Sequence, residues 1–344
     1  MKRTILLFVV VFAFSCFLSA GAFAADNLLV MTNFNAGKFC KHKKKCNVPD
    51  KMGFHKARGW KHSIKKRLSR LNLDDDEALS WAKEHLSKWG MTVVRLKGKI
   101  NHFGYNIASD PPAPIDYHAT VPGVKVWIAE YPFTKYMNFQ SDETGWWTIY
   151  VVKFKDAELE FSYVYQKPGW TVTKSNAIPV TNEDNEDIAI QYIDPNYYYM
   201  ALKPMVESQL SDLIGFPVTL ENALVVTVGK SWASMHDDRL PHGDPGATVS
   251  IDPAVMFPDT IGPIYFNEAV QPDPAYPYTS VDGGVTWINV PLNTYHVTAH
   301  KEGVNYETVK FKITEADLAN GVELYIASPP DSVQGDNDSG PGEW

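Results

Sequence analysis

Cysteine is scarce: the 344-residue chain has three. That excludes a dense disulfide framework or a four-cysteine metal cluster as the source of stability, and a chain of this length buries a sizeable core without either. Past residue 24 there is no run of 18 apolar residues, so no membrane-spanning helix is expected in the mature chain. A mean hydropathy of -0.24 excludes a multi-pass membrane protein. Also missing are the Gly-x-Ser-x-Gly nucleophile elbow, a phosphate-binding glycine loop, His-Glu-x-x-His, and Cys-x-x-Cys-His. The hydrolases, nucleotide enzymes, zinc peptidases and haem proteins that those motifs announce are not indicated.

Aromatic residues are plentiful at 13%, with 10 Trp and 17 Tyr, which excludes a wholly disordered chain. The 23 Pro and 22 Gly are spread along the sequence, as strand-and-turn proteins require. Residues 1–24 read as a signal peptide. Lys2 and Arg3 precede an apolar run from Ile5 to Phe17, and Ala22-Phe23-Ala24 is a small-x-small cleavage site. The expected mature chain begins near Ala25, secreted or periplasmic. A lipid anchor on Cys16 is the lesser alternative, because Ala13-Phe14-Ser15 lacks the usual Leu. Cys40 and Cys46 then remain, an even count that favours a disulfide in an exported protein. The bridge would close Lys41-His42-Lys43-Lys44-Lys45, either as a basic knuckle presenting charge or as a local staple.

Charge is sharply segregated. The net charge is -8, yet residues 38–70 hold thirteen Lys and Arg against one acid, Asp50. The rest of the mature chain is therefore strongly acidic. Such asymmetry points to an anionic partner for the basic end, to its docking on the acidic body, or to a solvated basic face. The candidate contacts are Lys41, Lys43, Lys44, Lys45, Lys61, Lys65, Lys66 and Arg67. An anionic surface, a polysaccharide or an acidic protein would satisfy them; nucleic acid meets the same electrostatics, but nothing specifies it. Trp60, Ile64, Leu68 and Leu71 form one stripe of a basic amphipathic helix over 56–71. A second helix opens at Asp74-Asp75-Asp76-Glu77, where Asp74 and Glu77 have capping-box spacing. It carries a stripe of Leu79, Ala82, Leu86 and Trp89 and ends at Gly90. Within a basic region spanning 25–90, residues 56–90 are thus expected to form a packed helical hairpin.

From residue 91 the hydrophobic period becomes two. Strands are expected at Thr92–Ile100, Val124–Ile128, Trp146–Val152, Leu159–Tyr165 and Ile188–Tyr192. A second series runs through Leu224–Val228, Ala247–Ile251, Val285–Val290, Tyr295–Ala299, Val309–Ile313 and Val322–Ile326. The two series share an order of turns, Pro122-Gly123-Val124 with Pro245-Gly246-Ala247 and Asp142-Glu143-Thr144-Gly145 with Asp282-Gly283-Gly284. The fold class expected is mainly β: two Greek-key sandwiches, over 91–193 and 218–328, after the basic helical hairpin. A short connecting helix over 194–217 begins at Asp194-Pro195, and an acidic, disordered tail covers 329–344.

The Pro-Gly-(Val or Ala)-x-Val segment, the turn before the next strand, and Tyr295-x-Val297-x-Ala299-x-Lys301-x-Gly303 resemble the carboxypeptidase regulatory-like or transthyretin-like (prealbumin-like) domains. Those are seven-stranded Ig-like sandwiches. The resemblance covers both β segments, with insertions at 100–120 and 253–278. It implies a noncatalytic module for folding, spacing or binding. The Tyr-Arg-Gly-Ser ending of the hydroxyisourate hydrolases is absent, so their activity is not implied.

For catalysis the nearest constellation is His236, Asp238, His242 and Asp244, whose imidazoles and carboxylates suit a divalent metal. The same residues also suit the turn that opens the second sandwich. His296 and His300 either join them or face solvent. Tyr197, Tyr198 and Tyr199, or the adjacent Trp146 and Trp147, suit sugar stacking or docking on a sheet. The leading expectation is an exported noncatalytic binding or scaffold protein that needs no cofactor. The alternatives are a metal-dependent enzyme and a carbohydrate-binding accessory protein.

Overall fold

The computed structural model describes residues 22–25, 28–31, 68, 71–103, 105–106, 113–114, 120–186, 188, 190–193, 204, 207–208, 211–212, 215, 217–219, 221–229, 243–256, 260–268, 272–281 and 283–329. The cysteines, the eight basic candidates, His236, Asp238, His242 and Tyr197–Tyr199 lie outside them. So do most of the signal segment, most of the first hairpin arm and the tail after residue 329.

In chain order the strands are β1 (Ala22–Ala25), β2 (Leu28–Met31), β3 (Met91–Phe103), β4 (Tyr105–Asn106), β5 (Ala113–Pro114), β6 (Lys125–Ile128) and β7 (Phe139–Gln140). Next come β8 (Trp146–Phe154), β9 (Glu160–Phe161), β10 (Tyr163–Gln166), β11 (Thr173–Ser175), β12 (Ile178–Pro179), β13 (Ile190–Ile193) and β14 (Ala223–Thr227). The last are β15 (Thr248–Asp252), β16 (Ile261–Phe266), β17 (Pro272–Asp273), β18 (Gly284–Ile288), β19 (Asn293–His300), β20 (Val309–Ile313) and β21 (Leu324–Ala327). Helix α1 spans Asp76–Ser87 and α2 spans Glu315–Ala319. The protein is mainly β, as the period-two patterning required. The chain divides into two compact units, residues 1–95 with 149–157 and residues 96–148 with 158–344.

In the first unit α1 covers a sheet. Leu79, Ala82 and Leu86 are buried on its inner face among Leu68, Leu73, Met91, Val93, Tyr150 and Val152. β2 pairs antiparallel with Tyr150–Lys153 of β8, and β1 pairs with β2. The N-cap is Asp75, whose Oδ1 accepts from the amides of Glu77 (2.9 Å) and Ala78 (3.3 Å). This corrects the expectation of a cap at Asp74. The Asp74 carboxylate instead accepts from the Tyr150 hydroxyl at 2.6 Å, a partner on a strand 76 residues away. Asp76 and Glu77 sit in the first turn, where the helix dipole favours them. Trp89, expected in the buried stripe, is 46% exposed, because the helix ends at Ser87 with Lys88 as its C-cap and Trp89 lies in the turn beyond. Of the first arm of the expected hairpin, only Leu68 and Leu71 are described; Leu68 is buried and Leu71 packs against the same core.

In the second unit one sheet runs through both segments that read as separate sandwiches. Its order is β17-β16-β18-β14-β21-β11-β10-β6-β7. The seam is parallel. β21 pairs with β14 on one side (Leu324 opposite Ala223) and with β11 on the other (Leu324 opposite Thr173). A buried ion pair pins this seam. Lys174 on β11 reaches Asp317 in α2 at 2.7 Å, with side chains 3% and 6% exposed. Lys174 also donates to the Lys312 carbonyl at 2.9 Å, and Asp317 completes a capping box with Thr314.

A three-stranded sheet, β15-β19-β20, supplies the second layer. Val249, Ile251, Tyr295, Val297, Ala299, Val309, Phe311 and Ile313 point inward and share one core with Leu224, Val226, Val285, Trp287 and Tyr325. Strict alternation along β19, buried at 295, 297 and 299, is the reason this layer was legible. The stretch 253–278 is not simply an inserted loop, because β16 lies within it. Gly262, at φ +136°, and Pro263 interrupt its pattern, and a register shift falls between Ile261 and Ile264. In the expected connecting helix, residues 204, 207, 208, 211 and 212 are helical.

Candidate functional site

Two places merit description, one in each unit. In the second unit the residues that bear chemistry meet at the entry to β15. The turn Asp244-Pro245-Gly246 is built by backbone. The Asp244 amide donates to the Val228 carbonyl (2.7 Å), and Thr279 Oγ1 donates to the Asp244 carbonyl (2.7 Å). Gly283 approaches so closely that a Cβ there would lie 2.2 Å from the Val228 oxygen, and its φ of +69° favours glycine as well. These constraints bury Asp244, 6% exposed, and direct its carboxylate to two donors: Lys301 Nζ on Oδ1 and the Tyr306 hydroxyl on Oδ2. A carboxylate taken out of water needs such partners.

Beside it an open cleft of about 360 Å³ is lined by residues that include Thr298, His300, Glu302, Asn305 and Tyr306. Its wall ends in the turn Lys301-Glu302-Gly303, with Gly303 at φ +78°. His300 Nε2 lies 2.9 Å from Ser250 Oγ on the outer face of the three-stranded sheet. His296 stands on the same face, in register with Asp252 and Lys310. Among the described residues no three His, Cys, Asp or Glu side chains gather to hold a metal. Of the four metal candidates only Asp244 is described, and a cation there would compete with Lys301.

The sugar-stacking candidates separate. Trp147 is 1% exposed and packs on Tyr163, with ring centroids 5.0 Å apart. Trp146 points the other way and carries Lys97 Nζ over its ring at 4.5 Å. Adjacent residues on a strand must face oppositely, so one buried ring was expected.

In the first unit a set of rings missed by the sequence reading lies along α1. Trp81 and His85 stack with centroids 4.9 Å apart and planes 7° from parallel. His85 meets Trp89 edge-on at 5.6 Å. Trp81 and Trp89 are each 46% exposed. Trp81 and His85 are one turn apart on α1, and Trp89 follows just past its end with the same spacing of four, which was the available signal. Glu84 and Lys88, 3.8 Å apart, form an exposed pair on the same helix. No helix among the described residues is long and apolar enough to cross a membrane.

No family model matches this chain, and no curated protein matches it. Among solved structures it is similar to the Bacillus anthracis TIE protein at 13% identity and a TM-score of 0.18, over 69% of this chain and 34% of that one. It thus spans about a third of the TIE chain. A variant of BcpA, the major pilin subunit of Bacillus cereus, matches at 8% identity and a TM-score of 0.17, over 70% of each chain. BcpA itself matches at 10% identity and a TM-score of 0.18, over 62% of this chain and 56% of that one. Superpositions this loose carry no argument about family or activity.

Proposed function

We propose that the chain is an exported, noncatalytic binding or scaffold protein whose basic N-terminal region contacts an anionic surface. The observation that carries this reading is the thirteen Lys and Arg against a single acid within residues 38–70 of an otherwise acidic chain. A region so charged raises the local concentration of anions and steers encounter. The β sheets would then be the scaffold, in keeping with the transthyretin-like resemblance. A Cys40–Cys46 bridge would hold the Lys41 to Lys45 loop as a compact cationic turn.

The test is binding of the purified protein to dextran sulfate across a salt series. Affinity should fall steeply as ionic strength rises and the Debye length shrinks from about 10 Å at 0.1 M to about 3 Å at 1 M. Replacing Lys41, Lys43, Lys44 and Lys45 together by Gln should remove most of the salt-sensitive affinity. Salt-independent binding, or binding untouched by the four replacements, overturns the proposal.

A further inference from the structure

We infer that the interior of the second unit contains a binding site for one ordered water molecule, held between the indole N–H of Trp147 and the hydroxyl of Tyr163. The site is independent of what the basic N-terminal region binds. Trp147 on β8 is 1% exposed and Tyr163 on β10 is 0% exposed. Their rings pack together, with centroids 5.0 Å apart and planes tilted by 44°. Neither Trp147 Nε1 nor Tyr163 Oη meets a hydrogen-bond partner among the described residues. Buried polar atoms in folded proteins are satisfied almost without exception, and where protein groups do not reach them internal water does. Two such atoms on rings in contact mark one polar place within an otherwise apolar core.

The chemistry of the two groups selects the ligand. An indole N–H only donates, so its companion must accept, which excludes a metal cation or an ammonium group. Burial, and then the charge of Glu130, raise the Tyr163 phenol well above its ordinary range, so it stays a neutral hydroxyl that donates or accepts. The same negative charge of Glu130 opposes an anion at this place. What remains is a neutral molecule that accepts from the indole and exchanges a hydrogen bond with the phenol. In a close-packed interior, water is the one small enough. Other rings flank the pair: Tyr165 lies 6.2 Å from Trp147, and Phe161 lies 6.4 Å from Tyr163. Gly98 lets β3 come against the indole, where a Cβ would fall 2.7 Å from Cε2, the ring carbon bonded to Nε1. The water thus joins a ring of β8 to a ring of β10, strands that belong to different sheets.

The experiment compares the purified full chain with Tyr163→Phe, which deletes one oxygen and keeps the ring. Relaxation dispersion of the water oxygen counts long-lived internal waters, and an exchanging phenol proton cannot mimic that signal. The wild type should hold one more such water than the variant. The Trp147 indole proton, identified as the resonance missing from Trp147→Phe, should move upfield in Tyr163→Phe as its acceptor leaves. The thermal midpoint of Tyr163→Phe should fall, because the loss of the water strands the indole N–H. Binding of dextran sulfate should be the same in both. Equal water counts in the two folded proteins overturn the inference. A raised midpoint overturns it as well, since removing an unsatisfied hydroxyl is a gain. Should Tyr163→Phe fail to fold by circular dichroism, the crystal density of the wild type decides. A water within hydrogen-bond distance of both atoms supports the site, and an empty interior or a direct bond between the two rings overturns it.

Discussion

Lys174 and Asp317 show what a single buried pair does in this protein. Each is nearly inaccessible, and each has further hydrogen bonds that satisfy it, the Lys312 carbonyl for one and Thr314 for the other. Removing one partner strands a charge in the interior. Lys174→Ala should destabilise the protein by about 3–5 kcal/mol in chemical denaturation, whereas Lys174→Met combined with Asp317→Leu should recover much of that loss. Equal destabilisation by both would show that the cost comes from packing rather than from the stranded carboxylate. Neither residue was legible in the sequence as a pair. They are 143 positions apart, and Lys174 sits in a three-residue strand too short to show a period. Gly98 is similar. A Cβ there would fall 1.7 Å from the Ile188 carbonyl oxygen and 2.6 Å from the Trp147 ring, a close approach that only the folded chain reveals.

At the scale of elements the sequence was most informative where a period ran for five residues or more. β8, β15, β19 and β20 lie where alternation placed them, and α1 lies where its stripe placed it. Its start was displaced by one residue because three aspartates in a row offer equivalent caps, and tertiary structure chose among them. Asp74 is claimed by Tyr150, which leaves Asp75 to cap. The two aspartates are therefore separable. Asp75→Ala should cost about 1 kcal/mol of stability and fray the first turn of α1, seen as faster amide exchange there. Asp74→Ala should leave that turn protected and release the Tyr150 hydroxyl. Matching exchange patterns in the two variants would mean that the cap is shared. β16 escaped the reading because Gly262 and Pro263 punctuate it as a loop would. Of the candidate site, the turn at Asp244 was visible from its Asp-Pro-Gly, but Lys301 and Tyr306 as its partners were not. They arrive from the far end of β19, and pairing at that distance leaves no local signature.

For the molecule as a whole, tyrosine chemistry sets an alkaline limit. Burial raises the phenols of Tyr163 and Tyr165 well above their ordinary range. Burial and then the neighbouring Asp74 raise Tyr150, and burial raises Tyr325. Each folded-state pKa exceeds the unfolded value near 10, so their contribution is complete below about pH 10 and is lost as pH climbs toward the folded values. Absorbance at 295 nm should therefore show a group of tyrosines ionising together, coincident with loss of the β circular dichroism signal. Independent titration of all 17 near pH 10 with the fold intact would contradict this.

The position of β21 carries a consequence in time. It is the last described strand of the chain, yet it stands in the middle of the nine-stranded sheet, with β14 on one side and β11 on the other. Until it is delivered, the four strands before it in the sheet order and the four after it have no strand pairing with each other within this sheet. The two halves of this sheet are therefore joined to each other only when residues 324–327 take their place. Closure over so long a sequence separation is slow, so the nine-stranded sheet is completed late in folding, by the one strand that both halves share.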